Sequence, residues 1–143
     1  SLKSVTYRKG VSIVNIYSLR MLDAHGFLAR IFEVFARNNV VVDVVTTSEV
    51  SVSATVDGVV SEDLVKELQE FANVEVESGL AIVCLVGEGI RSRGGLLGEL
   101  FSAVAEHDVA MVSQGASKRN VTFLVAESEA AEVVTKIFNK FFQ

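Results

Sequence analysis

Between Val50 and Val56 apolar and polar residues alternate: Val50, Val52, Ala54 and Val56 fall on one side, Ser51, Ser53 and Thr55 on the other. Successive side chains of a strand point to opposite faces, so this stretch predicts a strand with one covered and one polar face. Upstream, Val11 to Tyr17 is an apolar run of strand length. Phe27, Leu28, Ile31, Phe32 and Phe35 then recur at helical spacing, Asn38-Asn39 stop the helix, and Val40 to Thr47 reads as the next strand. Beyond Val56 a second helix carries Leu64, Val65, Leu68 and Phe71 inward. Ser61 suits its N-cap, and Glu62 and Asp63 suit the positive end of its dipole. Val74 to Val76 closes the set. The order β-α-β-β-α-β predicts an α+β unit, an antiparallel sheet with both helices on one face, the ferredoxin-like arrangement.

The pattern occurs twice. Shifted by 69 residues, Val11 to Val52 lies over Leu80 to Val121 without a gap. Gly26 then falls on Gly95, Leu28 on Leu97, Phe32 on Phe101, Val40 on Val109 and Ser48 on Ser117. The second copy ends early. Its last helix carries Val133, Val134, Ile137, Phe138 and Phe141, and no residues remain after Gln143 for a closing strand. Lys3 to Arg8 precedes the first copy and has no place in it. We expect residues 1–9 to supply the missing strand, so that the first unit (10–79) is inserted within the second (80–143).

Half of the residues are hydrophobic and 22% are charged, as in a packed domain. A net charge of -5 with scattered lysine and arginine excludes a general attraction to nucleic acid or to an anionic membrane. No stretch approaches a membrane span and no signal peptide is visible, so the expected setting is cytoplasmic. Cys84 is the one cysteine, which excludes an internal disulfide and a multi-cysteine metal site. His25 and His107 lie in different units without metal-ligand spacing, and the glycines of Gly87–Gly95 match neither a dinucleotide nor a phosphate fingerprint. No nucleophile stands with a base. We expect no catalytic residue, no metal and no cofactor.

The candidate chemistry is that of binding. The loop from Ser18 to Leu28 runs from a strand into a helix, whose free N–H groups near Gly26, Phe27 and Leu28 can receive a carboxylate. On the neighbouring strand Asp43 interrupts the valine run Val40 to Val45. A carboxylate amid valines is costly unless it is paired, and an ammonium group satisfies it. The other reading places Asp43 at an open sheet edge or beside a local arginine. In the second copy Val112 aligns with Asp43 and Lys118 with Glu49, so a pocket for a cationic amino acid belongs to the first unit.

Arg20-Met21-Leu22, His25-Gly26-Phe27-Leu28 and the run Val42-Asp43-Val44-Val45-Thr46-Thr47-Ser48-Glu49-Val50-Ser51 resemble the regulatory region of lysine-sensitive aspartate kinases. Leu85 to Ile90, Gln114 to Ser117 and Asn120 to Phe123 are similar too. The resemblance implies two ACT units, the first inserted in the second, in a homodimer that binds L-lysine between the first units of two subunits. It implies contacts to lysine from Met21, Gly26, Phe27 and Leu28 through backbone and packing. It further implies an ammonium partner in Asp43, with Val42 beside it, and closure by Thr47, Ser48 and Glu49. The family's kinase domain lies upstream with a Lys-Phe-Gly-Gly motif that these residues lack, so the chain reads as a regulatory part without catalysis of its own. The alternatives are a free-standing ACT-repeat protein for another effector, threonine or a methionine-derived compound, or a dimerisation module. An acyl-phosphate hydrolase would need an arginine–asparagine anion site that is not evident.

Overall fold

The computed structural model describes residues 2–18 and 26–142, which form two compact units, Gly10–Ser78 and Ser1–Lys9 with Gly79–Gln143. Two long strands contribute to both: β1 (Leu2–Tyr17) and β4 (Asn73–Gly87). The apolar pattern predicts each of these as two separate strands. Both run on because no proline or polar loop intervenes, and the unit boundaries fall at Gly10 and Gly79, whose φ angles of 74° and 70° an L side chain rarely adopts.

In the Gly10–Ser78 unit, α1 (Phe27–Arg37), β2 (Val45–Thr47), β3 (Ser51–Asp57) and α2 (Glu62–Gln69) lie between β1 and β4. The strand order is β2-β3-β1-β4. β1 and β3 are antiparallel, from Val11 opposite Asp57 to Tyr17 opposite Ser51. Alternation along β1 and β3 sends Val14, Ile16, Val52 and Ala54 into one core with Ile31, Phe35, Leu64 and Leu68 of the helices. Leu28 and Phe32, counted inward by spacing, are 39% and 37% exposed. They flank the buried stripe of Phe27, Ile31, Val34 and Phe35 and form its rim. α2 begins as its sequence dictates: the Ser61 hydroxyl accepts the Leu64 N–H at 3.2 Å, and Glu62 and Asp63 occupy the first turn. Ser61→Ala should lower the unfolding free energy by about 1 kcal/mol in urea titration. An unchanged midpoint would mean that the cap contributes nothing.

The other unit repeats this plan with α3 (Leu96–Ala103), β5 (Met111–Ser113), β6 (Asn120–Ala126) and α4 (Ala130–Phe141), in the strand order β1-β4-β6-β5. Leu2 and Val5 of β1 pack against its core, which includes Ala81, Val83, Phe123 and Ile137. Lys3 Nζ donates to Glu88 at 3.1 Å. Two copies of one ferredoxin-like motif, each a sheet with a helix pair, account for the whole of the described chain.

The repeat is not gapless in space. Leu80 opposes Ala126 as Val11 opposes Asp57, which keeps the shift of 69. At the edge, however, Val112 opposes Phe123 where Val45 opposes Ala54. The path from helix to edge strand is therefore two residues shorter in the second copy, and the turn that follows is two residues longer. By backbone bonding His107, whose N–H meets Val104 O at 3.0 Å, stands where Val40 meets Phe35 O at 2.9 Å. That inward position buries the imidazole to 4% exposure. The Lys136 ammonium, which can only donate, lies 3.0 Å from Nε2. Nε2 therefore accepts, and Nδ1–H donates to Glu129 Oε1 at 2.7 Å. No helix among the described residues is long and apolar enough to cross a membrane.

Candidate functional site

Gly26 caps α1 from the left-handed region, φ 82° and ψ 7°, and its carbonyl accepts the Arg30 N–H at 2.9 Å. No side chain caps this helix and no acid stands in its first turn, among the described residues, so its amide end keeps its partial positive charge. A Cβ on Gly26 would meet open space, and only the backbone angle opposes it. Gly26→Ala should therefore cost about 1–2 kcal/mol in thermal unfolding. A cost near zero would show that the turn relaxes. Phe27 turns inward, 8% exposed, with its ring edge-to-face on Phe71 at 5.8 Å between centroids. The Arg30 guanidinium lies over the Phe71 ring, 3.9 Å from its centroid. Phe27 can thus meet a ligand only through its backbone, while Leu28 presents its side chain. Met21, with Arg20 and His25, lies outside the described residues.

The stretch before β2 differs from expectation. The predicted strand over 40–47 is regular only from Val45 to Thr47. Val40, Val42 and Val45 all pack on the same core, an even-numbered pair followed by an odd one. A plain strand cannot do that, because its faces alternate with period two. One extra residue must be inserted, and the hydrogen bonds locate it. Asp43 N–H donates to Thr55 O at 3.2 Å, while Thr55 N–H donates to Val44 O at 2.9 Å. Two residues thus oppose one, a β-bulge. The Val44 N–H turns to the Thr55 side chain and donates to Oγ1 at 2.9 Å. Thr55, assigned to the polar face from alternation, is only 1% exposed with this bond made.

The bulge leaves Asp43 exposed, so the cost of a carboxylate buried among valines does not arise within one chain. Val42 is half-buried against the core. Thr47, the last residue of β2, and Ser48 and Glu49 in the turn to β3 are exposed. That turn is fixed by Ser48 N–H to Ser51 O at 2.9 Å and by the two serine hydroxyls 2.6 Å apart. Ser18 N–H meets Val50 O at 2.9 Å, so the strand leading toward α1 leaves beside this turn. Thr47 opposes Val52 and Asp43 bonds Thr55, which puts Asp43 roughly 10 Å farther along the edge. Candidates 42–49 therefore line an edge strand whose only described partner is β3, while Gly26, Phe27 and Leu28 stand at the start of α1. A cavity of about 720 Å³ in the same unit is lined by Tyr17, Gln69, Ala72, Asn73, Val74 and Glu75 and holds none of them.

In the other unit the equivalent edge has lost its acid. Ala110 N–H bonds Leu124 O at 2.8 Å, as Asp43 bonds Thr55, so Ala110 and not Val112 takes the place of Asp43. Leu124 offers no hydroxyl where Thr55 does. The sequence reading missed Thr55, although the valine parity between 42 and 45 carried the signal.

Comparisons with known proteins match this architecture. A sequence model of the ACT domain family matches residues 14–70 and 83–141, one segment in each unit. The lysine-sensitive aspartokinase 3 of Escherichia coli is 35% identical over 150 residues, covering 99% of this chain and 33% of that protein. The aspartokinase of Schizosaccharomyces pombe is 37% identical over 141 residues, covering 94% and 27%. The chain thus spans a third or less of the length of these curated relatives. Among solved structures, Escherichia coli aspartokinase III in complex with lysine and aspartate, in its T-state, superposes with a TM-score of 0.88 at 36% identity, over 99% of this chain and 33% of that one. A structure described as a candidate C-terminal regulatory domain of aspartate kinase from Porphyromonas gingivalis gives a TM-score of 0.83 at 30% identity, over 98% and 97% of the two chains.

Proposed function

The chain belongs to the ACT domain family, as a regulatory region of the aspartate-kinase type, and on that footing we propose that its Gly10–Ser78 unit binds L-lysine and passes feedback inhibition to a kinase catalytic domain. The observation that carries this reading is the placing of Asp43 on a bulged, exposed stretch of the edge strand in this unit only. An ammonium group pairs with Asp43. A carboxylate is received by the uncapped amide end of α1 at Gly26, Phe27 and Leu28. Thr47, Ser48 and Glu49 border the ligand from the end of β2 and the turn that follows, and Met21 joins them by the family resemblance.

Because the candidates line an edge, a second copy of this chain completes the site by bringing its own edge alongside, and the working form is a homodimer. Closure between copies removes water from Asp43 and strengthens its pairing with the ligand. The setting is cytoplasmic. Inhibition follows if lysine binds more tightly to the inhibited arrangement of the whole enzyme than to the active one.

Thermal unfolding against lysine, threonine, methionine and S-adenosylmethionine tests the reading. Lysine at about a hundred times its dissociation constant stabilises by roughly 2.7 kcal/mol. A shift with lysine supports the proposal, whereas a shift with another effector replaces the ligand. No shift with any of them leaves a dimerisation module and rejects the sensor.

A further inference from the structure

We infer that Thr55 is a positioning residue for this site, whose hydroxyl holds the bulge that aims Asp43 at the ligand's ammonium group; the inference rests on the lysine reading above. Thr55 makes three bonds to the two bulged residues: its carbonyl to Asp43 N–H, its N–H to Val44 O, and its Oγ1 from Val44 N–H. The first two belong to any such bulge. The third is particular to a hydroxyl-bearing residue, and it takes up the amide that the extra residue displaces from the ladder. Without it, Val44 N–H would sit against a residue that is 1% exposed, with no acceptor in its place. The strand would then gain by slipping one residue toward regular pairing, and a one-residue slip sends Asp43 to the other face.

The core side favours the same arrangement. Val40, Val42 and Val45 can all face the core only while the bulge persists. The valines provide the apolar drive, and Thr55 satisfies the polar group that this drive leaves over. The second unit keeps the amide-to-carbonyl bond from Ala110 to Leu124 but has neither the acid nor the hydroxyl. Acid and hydroxyl are present together in one unit and absent together in the other, as a functional pair requires.

The test uses lysine titration calorimetry on the whole chain with Thr55→Val, Thr55→Ser and Asp43→Asn, and amide hydrogen exchange at Val44. Valine keeps the shape and removes the hydroxyl, which should weaken lysine binding about five-fold or more, the loss of one net hydrogen bond's worth of positioning. Serine should restore wild-type affinity. Thr55→Val added to Asp43→Asn should weaken binding no further than Asp43→Asn alone, because both act through one contact. Val44 exchange should accelerate in the valine variant only. Wild-type affinity in Thr55→Val, or full additivity with Asp43→Asn, would overturn the inference by reducing Thr55 to a core residue. If the unsubstituted chain takes no lysine, the lysine reading falls; slow Val44 exchange in Thr55→Val would then overturn the clamp as well, and fast exchange would uphold it. Should valine prevent folding, Thr55→Ala against Thr55→Ser makes the same comparison.

Discussion

Asp43→Asn should lower lysine affinity about ten- to a hundred-fold while leaving the melting temperature of the free chain essentially unchanged. The substitution keeps the size and removes the charge. Hydrogen bonds to charged groups contribute roughly 1.5–3 kcal/mol, and each 1.4 kcal/mol is a factor of ten in affinity. Which end of that range applies depends on water. In the free chain Asp43 is exposed, and an exposed ion pair contributes little. Closure of a second edge over it moves the pair toward the upper end. Stability of the unliganded chain should hold, because surface substitutions away from core and caps stay within about 0.5 kcal/mol. Titration calorimetry and a thermal melt on the same sample check both halves. Unchanged affinity would remove Asp43 from the mechanism, and a large loss of stability would make it structural.

Removal of residues 2–9 should have the largest effect of all. These residues are the Leu2–Lys9 part of β1, which belongs to the same compact unit as Gly79–Gln143. Leu2 and Val5 are half-buried against that unit's core. Fully burying such side chains contributes about 1.5–3 kcal/mol each, so half-burial of the two is worth a few kcal/mol together. Small domains are stable by only about 5–15 kcal/mol. The loss of a strand also strips β4 of a neighbour, and an unpaired edge is a template for aggregation. We propose that this strand is what closes the second unit, and the truncated chain should be insoluble or give collapsed amide dispersion in NMR. A soluble chain with an unchanged urea midpoint would show that residues 2–9 are dispensable and that the second unit closes without them.

The helices were legible because their spacing is strong: Phe27, Ile31 and Phe35 are buried as period 3.6 requires. Periodicity does not fix how wide the buried stripe is, and Leu28 and Phe32 proved to be its rim. The ungapped repeat concealed two compensating two-residue changes, because helix ends and turns absorb length without disturbing the core. That is why His107, aligned with Asn38 by the shift of 69, is in fact a core position equivalent to Val40. Asp43 stood out by its chemistry, and of the two settings its sequence left open the structure shows the open sheet edge. A run of valines suggests burial on both faces, whereas here a bulge and an edge keep the carboxylate at the surface. Thr55 was legible in principle from the parity of Val40, Val42 and Val45. It escaped because strict alternation from Val50 to Val56 already explained it as a polar-face residue.

The most direct measurement is a lysine titration followed by amide NMR on the intact chain. Perturbed resonances should cluster at residues 26–28 and 42–49 and spare 110–118, and they should saturate with one ligand per chain. Perturbations concentrated in the Gly79–Gln143 unit, or none at saturating lysine, would contradict a lysine site on the edge of the Gly10–Ser78 unit.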